Sequence, residues 1–257
     1  MYRNPSISAV GTLLGVWAHP DDEAYLSSGL MALVRRHGQR VVVLTATDGD
    51  AGETVLGPDA HARVAALRRR ELAASLAAVG VHEHYRLGLR DGRCDRVPLT
   101  RGAALVRKVI DAVRPDTIVT FGPDGMTGHP DHRAVSAWVT AAWSAGGRGR
   151  LWYATLTPAF HRRWGDLNRK MSVFPAGSTP PVTSESELAL DVRCHGEVLQ
   201  RKVRALRSHA SQVEPLVAAV GVGTFAQWWS QEAFVDAATA LDAARRADHF
   251  ALPAQAV

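Results

Sequence analysis

Residues 12–23 read TLLGVWAHPDDE, an apolar run that ends in a polar cluster. The part at 12–18 is uncharged and mostly apolar, which is typical of a buried strand. Residues 23–36 follow with leucines at helical spacing, which predicts a helix. Pro20 holds the preceding His19 in an extended conformation and fits the first turn of a helix, where no backbone donor is missed. The stretch therefore predicts a strand, a polar junction and a helix in direct succession.

A second cluster of this kind lies in the middle of the chain. Residues 117–121 read TIVTF, another strand-like run, and a glycine-rich loop leads from them to the tetrad HPDH at 129–132. A helix is predicted from the tetrad to about residue 143. Both His-Pro-Asp clusters therefore follow a predicted strand and precede a predicted helix.

Strand-like runs alternate with helical stretches through roughly the first 150 residues, as in α/β proteins. The predicted strands are 12–18, 40–47, 84–87, 117–121, 151–156 and 188–192. This alternation predicts a doubly wound, mostly parallel, Rossmann-like α/β sheet with helices on both faces. In the strand order 3-2-1-4-5 the first and fourth strands are neighbours where the winding reverses, and ligands bind beyond their carboxyl ends. Both polar clusters follow those two strands.

Length and composition fit one domain with its own core. The chain has 257 residues, 46% of them hydrophobic and 21% charged. We expect a single domain over 1–257 with a C-terminal elaboration from about residue 150. Its two cysteines, Cys94 and Cys194, lie far apart and outside any Cys-x-x-Cys motif. This usage argues against a disulfide-stapled secreted fold and predicts a cytoplasmic protein.

The charge balance and the hydropathy each argue against one kind of partner. The chain has 30 Lys and Arg against 25 Asp and Glu, a net charge of +5, without a lysine-rich tract. No nucleic acid partner is therefore expected, whereas a negatively charged substrate fits the same balance. No segment approaches the ~20 apolar residues that span a bilayer, so no membrane is expected either.

The two clusters together offer the side chains of a metal site. His and Asp bind first-row metals, and a catalytic zinc site uses three protein ligands and keeps one position open. Three side chains could bind the ion: His19, Asp22 and His132. Three others would remain for proton transfer and support: Asp21, His129 and Asp131. The alternative is that the two Pro-Asp turns only begin helices, since Asp is favoured at helix starts.

The motifs AHPDDE at 18–23 and GHPDH at 128–132, in this order, resemble the signature pair of the PIG-L/LmbE family. These are zinc-dependent N-deacetylases and include the mycothiol- and bacillithiol-pathway enzymes. Weaker matches extend over most of the chain: RxxEL at 68–72, LGLxDG at 87–92 and KxxxLxxHxSQ at 202–212. The resemblance implies an LmbE-type sheet and a hydrolase that removes an acyl group, most often acetyl, from an amino sugar or related small amide.

The resemblance also implies a role for each matched position around the ion. His19, Asp22 and His132 would bind Zn²⁺, or another divalent first-row metal. Asp21 would be the base that takes a proton from the attacking water. This fits zinc chemistry, since zinc lowers the pKa of water to about 7 and a nearby carboxylate completes its activation.

Four further positions follow from the same resemblance. His129, as imidazolium, would stabilise the oxyanion or protonate the leaving amine, and Asp131 would orient it. The imidazolium form is expected because a neighbouring carboxylate favours protonated histidine. Arg68 and Asp91 match positions that contact the polar part of the substrate.

Two positions depart from the family pattern. Many members have Gly-Glu in the loop after the second strand, where this chain has Asp50 with a shorter side chain. In the mycothiol-pathway enzyme a tyrosine precedes the first histidine of the second motif by two residues, whereas this chain has Thr127. A tyrosine contact to the oxyanion would be missing here or supplied from elsewhere, which weakens assignment to that pathway step.

Three functions stay open at this point. The leading one is a zinc hydrolase acting on a small N-acylated, sugar-containing molecule. The others are an amidase for a thiol conjugate or antibiotic glycoside, and a non-catalytic metal- or ligand-binding protein of the same fold. Asp21 and His129 favour catalysis, since a binding protein needs neither base nor acid. A dinucleotide oxidoreductase is not expected, because no GxGxxG follows the first strand. A homo-oligomer is compatible with the sequence.

Two loops and one aromatic pair complete the expectations. The loops at 49–60 and 172–187 are long enough to form lids or binding walls, and a passive, solvated connection is an equal alternative for the second. Trp228 and Trp229 are expected to pack a helix rather than to stack on a sugar.

Overall fold

The computed structural model describes residues 7–51, 59–146, 148–175 and 180–242. Its strands are β1 Leu13–Trp17, β2 Val41–Thr47, β3 Glu83–Leu89, β4 Thr117–Phe121, β5 Arg150–Thr155, β6 Leu188–Arg193 and β7 Gln231–Asp236. They form one seven-stranded sheet in the order β3-β2-β1-β4-β5-β7-β6. β1 to β5 are parallel, and β7 runs antiparallel to both of its neighbours.

Helices cover the sheet on both faces. Their bounds are α1 Asp22–Leu26, α2 Ser28–Arg36, α3 Ala60–Ala78, α4 Leu99–Val113, α5 Gly125–Gly128, α6 Pro130–Ser144, α7 Pro158–Lys170, α8 Gly196–Ser208, α9 Ala210–Val220 and α10 Val222–Trp228. Short 3-10 helices lie at Ile7–Ala9, Cys94–Arg96 and Glu185–Glu187. α2 and α3 contact α8, whereas α4 contacts α6. Right-handed crossovers place these two groups on opposite faces.

The apolar runs of the sequence explain which strands are central. Every residue of β1, β2 and β4 is buried, as expected for parallel strands covered on both faces. β3 lies at the edge, and its residues are only half-buried or exposed. The buried apolar side chains form one cluster that extends into β6, β7 and the C-terminal helices. The core therefore continues from the parallel sheet into its antiparallel extension.

The predicted fold class and the strand order 3-2-1-4-5 are confirmed. All six predicted strands are present, and none of their ends is shifted by more than two residues. The sequence analysis missed β7, which inserts between β5 and β6. It reads QEAFVD, with polar residues at both ends and three apolar residues between them, a signal too short to be recognised as a strand.

The helix predicted at 23–36 is interrupted at Ser27, where φ is −150°. Lys202 donates hydrogen bonds to the carbonyl oxygens of Ala24 and Tyr25, at 3.0 and 2.8 Å. Glu232 accepts hydrogen bonds from two backbone N–H groups in the first turn of α2, at 2.7 and 2.8 Å. Lys202 and Glu232 form a fully buried ion pair. The C-terminal part of the chain thus satisfies the backbone groups that the break leaves unpaired.

The two long loops are described in part, since 52–58 and 176–179 lie outside the described residues. Val182 forms an isolated parallel bridge with Leu156. Trp228 ends α10 and is fully buried, which agrees with the expected packing role. In the described part of the chain, no helix combines the length and hydropathy of a bilayer span.

Candidate metal centre and active site

The two polar clusters meet at the carboxyl edge of the sheet. β1 pairs directly with β4, so the junctions that follow these strands are neighbours. Asp22 begins α1, and His132 lies in the first turn of α6. Pro130 occupies the first position of α6, as its missing N–H allows. The strand order therefore brings together side chains that are far apart in sequence.

The three predicted metal ligands lie next to one another at this edge. His19 Nδ1 lies 3.1 Å from His132 Nε2 and 3.7 Å from Asp22 Oδ2. His132 Nε2 lies 3.4 Å from Asp22 Oδ1. Two ligand atoms bound to one tetrahedral zinc at its usual bond lengths are about 3.3 Å apart. All three side chains are largely buried, and their spacing fits a small first-row ion.

His19 and His132 each have a second ring nitrogen that points away from the cluster, here called the outer ring nitrogen, and its contacts support the same geometry. His19 Nε2 faces Asp91 Oδ1 at 3.0 Å and Asp131 Oδ2 at 3.2 Å. His132 Nδ1 lies 3.0 Å from the carbonyl oxygen of Gly125. Metal-binding histidines usually donate their other N–H group to a carboxylate or a backbone carbonyl, which fixes the ring and its tautomer. Both rings therefore have acceptors on the outside and leave one nitrogen facing the cluster.

Asp131 is anchored by the loop after β3. Its fully buried carboxylate accepts hydrogen bonds from the backbone N–H groups of Gly92, at 2.8 Å, and Cys94, at 2.9 Å. Burial opposes ionisation, yet the hydrogen bonds from His19 and these two N–H groups hold the pKa of Asp131 below its ordinary value. The resemblance implied that Asp131 orients His129. In the structure, the carboxylate contacts His19 instead, and only the backbone N–H of Asp131 reaches His129 Nδ1, at 3.1 Å.

Asp21 has a strained backbone, with φ at 111° immediately before α1. Its N–H donates to Glu23 Oε2 at 3.0 Å, and its Oδ2 accepts from Arg68 at 3.0 Å. Burial raises the pKa of Asp21 to about 6, although the Arg68 guanidinium acts in the opposite direction. Residues in sparsely populated conformations cluster at functional sites, where the surrounding structure holds them in place.

Arg68, predicted to contact the substrate, is almost fully buried. Besides Asp21, it donates hydrogen bonds to the carbonyl oxygens of Pro20, at 2.5 Å, and Gly49, at 3.1 Å. Gly49 has φ at 66°, and a Cβ there would lie 2.3 Å from the guanidinium. The close approach of this loop to Arg68 therefore requires glycine. The contacts of Arg68 position Asp21.

A buried network behind Asp21 was not assigned by the sequence analysis. Glu23 Oε1 lies 2.9 Å from His209 Nε2 and accepts a hydrogen bond from Ser75 Oγ at 2.8 Å. Burial disfavours both charges, yet each partner stabilises the other, so the pKa of Glu23 is lowered and that of His209 is raised. The motif around His209 was the one available signal. Glu23, in turn, receives the Asp21 N–H, so the network supports the strained backbone.

His129 lies at the rim of the cluster. Its ring centroid is 4.9 Å from that of His19 and 5.0 Å from that of His132, close enough for a shared ion. Burial and these two neighbouring rings lower its pKa, although Asp131 acts in the opposite direction. This direction opposes the imidazolium that the resemblance implied. With Nδ1 accepting the Asp131 N–H, a neutral His129 carries its proton on Nε2.

Comparison with known proteins identifies the family. The profile of the PIG-L family, described as GlcNAc-PI de-N-acetylase, matches residues 14–143, which include both clusters. A 1D-myo-inositol 2-acetamido-2-deoxy-alpha-D-glucopyranoside deacetylase from Acidothermus cellulolyticus is 32% identical over 237 residues, covering 79% of this chain and 80% of the relative. Its namesake from Saccharomonospora viridis is 33% identical over 230 residues, covering 78% and 85%.

A solved structure has a similar fold. N,N'-diacetylchitobiose deacetylase from Pyrococcus horikoshii superposes with a TM-score of 0.60 at 22% identity, covering 91% of this chain and 86% of that one. The fold, the paired His-Pro-Asp junctions and the match over half of the chain lead to one assignment. This chain belongs to the PIG-L family of de-N-acetylases.

Proposed function

We propose that the protein is a metal-dependent hydrolase that removes the N-acyl group of an amino sugar or a related small amide. The observation that carries the proposal is the close approach of His19, Asp22 and His132, with Asp21 next to Asp22 in the lining of the same cavity. The relatives named as amino-sugar deacetylases support the same reaction. The products are a free amine and a carboxylate.

Zn²⁺ is the ion we propose, and another divalent first-row metal would fit the same side chains. His19 Nδ1, His132 Nε2 and the Asp22 carboxylate would hold it. When bound, zinc polarises the amide carbonyl and lowers the pKa of water. Asp91, Asp131 and the carbonyl oxygen of Gly125 keep the outer ring nitrogens occupied.

The proton steps follow from Asp21 and His129. With a pKa of about 6, Asp21 is ionised at neutral pH and can take a proton as water attacks the carbonyl carbon. His129 Nε2–H can donate a hydrogen bond to the oxyanion, a position that does not require an imidazolium. When the C–N bond breaks, the proton held by Asp21 can pass to the leaving nitrogen. Asp91 and Asp50, which contact each other in the loops after β3 and β2, are the acidic groups we propose as acceptors for sugar hydroxyls.

Amine release tests this function. We expect zinc-loaded protein to release free amine from at least one member of a panel of N-acetylated amino sugars, measured with an amine-reactive fluorophore. His19→Ala should lose both bound zinc and activity, whereas His195→Ala, an exposed histidine remote from the cluster, should lose neither. Zinc-loaded protein that releases no amine from any compound would overturn the hydrolase proposal.

A further inference from the structure

An apolar cavity of about 300 Å³ opens on the candidate metal cluster. Asp21, Asp22 and His132 form its polar end. The rest of its lining is almost wholly apolar and comes from separate elements: Leu26 of α1, Phe121 of β4, Leu156 after β5, Met171 after α7, Leu216 of α9 and Trp229 after α10. The cavity is therefore continuous with the place where the amide bond would be cleaved.

The cavity wall is preformed by packed aromatic rings. Trp229 is buried and packs against Tyr25 at 4.6 Å and against Trp228 at 4.9 Å between ring centroids. Such ring pairs are stabilised beyond their buried area. Leu156, Met171, Leu216 and Trp229 all lie beyond residues 14–143, the part that carries the family match. The C-terminal half of this chain thus builds most of the apolar wall.

Beyond the His19 ring, the cluster is bordered by charged groups. Asp91 contacts His19 at 3.0 Å, and its backbone N–H donates a hydrogen bond to Asp50 at 3.3 Å. None of these side chains lines the apolar cavity. An amide held at the cluster therefore has two different surroundings, one polar and one apolar, for its two substituents.

The two halves of an N-acyl amino sugar match these surroundings. Placing the sugar in the apolar cavity would leave its hydroxyls without hydrogen-bond partners, which costs free energy. The sugar therefore belongs on the charged side and the acyl group in the cavity. The single methyl group of an acetyl would leave most of a 300 Å³ cavity unfilled, since cavities of this size hold whole small ligands.

We propose, on the basis of the hydrolase function above, that this protein accepts N-acyl groups longer than acetyl, with the aliphatic chain in this cavity. Each methylene removed from water raises kcat/KM about fourfold until the cavity is filled. Leu216, Leu156 and Met171 then determine the acyl specificity, while the groups at the metal cluster serve every chain length.

A series of glucosamines with N-acetyl, N-butanoyl, N-hexanoyl and N-octanoyl groups tests the proposal, because the amine product is the same throughout. We expect kcat/KM for glucosamine release to rise from acetyl to hexanoyl. A steady fall from acetyl onward would overturn the acyl pocket and leave the hydrolase intact. If no compound releases glucosamine, the hydrolase proposal fails. The acyl pocket is then tested by calorimetric binding, where tighter binding of the octanoyl compound than of the acetyl compound would support it and equal or weaker binding would overturn it.

A cavity-filling variant locates the effect. Leu216→Trp should lower the octanoyl-to-acetyl ratio of kcat/KM by about tenfold or more. Leu199→Trp, on α8 and outside the cavity lining, is the matched control and should leave the ratio unchanged. Equal effects on both substrates, or none, would overturn the assignment. If Leu216→Trp does not fold, Leu216→Gln makes the same wall polar and should lower the same ratio.

Discussion

Asp21 has a φ of 111°, a conformation that residues other than glycine rarely adopt. Two contacts hold it there, the hydrogen bond from its N–H to Glu23 and the ion pair with Arg68. A strained backbone and a buried carboxylate both cost free energy, so the surrounding groups must stabilise this conformation and this charge. The residue lies next to the candidate ligand Asp22 and lines the cavity at the cluster, so the proposed role as base would give that cost a function.

Asp21→Asn separates chemistry from metal binding. The amide keeps the shape and tolerates unusual φ values but cannot accept the proton. We expect turnover to fall by about 10²-fold or more while zinc content, measured by atomic absorption, stays near one per chain. The exposed Asp95 provides a control, and Asp95→Asn should retain activity. Unchanged turnover in Asp21→Asn would exclude this carboxylate as the base.

The pH dependence of kcat/KM should report Asp21. Burial raises its pKa to about 6 and Arg68 lowers it. A general base acts only in its ionised form, so kcat/KM falls as the pH drops through that pKa and gives the profile an acidic limb. A bound cation favours the ionised carboxylate and can only move this limb to lower pH. Arg68→Gln removes the opposing charge and should move the acidic limb to higher pH. Arg68→Lys keeps the charge and should move it less. An acidic limb at the same pH in all three proteins would contradict the pairing.

Among the secondary-structure elements, α1 and α2 have their adjoining ends stabilised by two side chains from the C-terminal part of the chain. Lys202 binds the last carbonyl oxygens of α1, and Glu232 binds the first N–H groups of α2. α1 carries Asp22, so this buried pair also fixes a candidate ligand. The sequence predicted one continuous helix here because the leucine spacing continues through Ser27, and the caps come from residues far along the chain.

Breaking the buried pair should destabilise the fold. Glu232→Gln leaves the Lys202 ammonium buried without its countercharge, and we expect the free energy of unfolding to fall by about 3–5 kcal/mol in urea titrations. Glu197→Gln, which removes an exposed pair with Arg201, should cost less than about 1 kcal/mol. The double variant Lys202→Met/Glu232→Gln should recover part of the loss. A single Glu232→Gln variant as stable as Glu197→Gln would contradict this account.

For the whole molecule, the sequence predicted where the two His-Pro-Asp clusters meet, but it did not predict the apolar cavity beside them. Each His-Pro-Asp cluster follows its own strand, so local patterns and one topological rule suffice to bring His19 and His132 together. The partner of Asp131 was not predictable, because the N–H groups that orient its carboxylate come from another loop. The apolar cavity was not predictable either, since its wall combines several elements that no sequence spacing relates.

The charge balance of the cluster links metal binding to proton release. Burial opposes a charge on His19, yet hydrogen bonds to Asp131 and Asp91 raise its pKa to about 10. Metal-free protein therefore keeps a proton on His19 at neutral pH. The stabilisation from that proton is complete below the ordinary pKa of 6.5 and is lost as the pH rises through about 10. A metal ion bound to the same ring must displace the proton.

Zinc added to the metal-free protein should consequently release about one proton per ion near pH 7.5. The number of protons is obtained from the binding heats in two buffers that differ in ionisation enthalpy. The ion should also stabilise the fold by about 4 kcal/mol when free zinc exceeds Kd 1,000-fold. The rise in Tm should grow between pH 7 and 9, because the proton competes less with the metal. His19→Ala should abolish the proton release and most of the rise in Tm. Zinc binding with equal heats in both buffers would mean that His19 is not the protonated ligand.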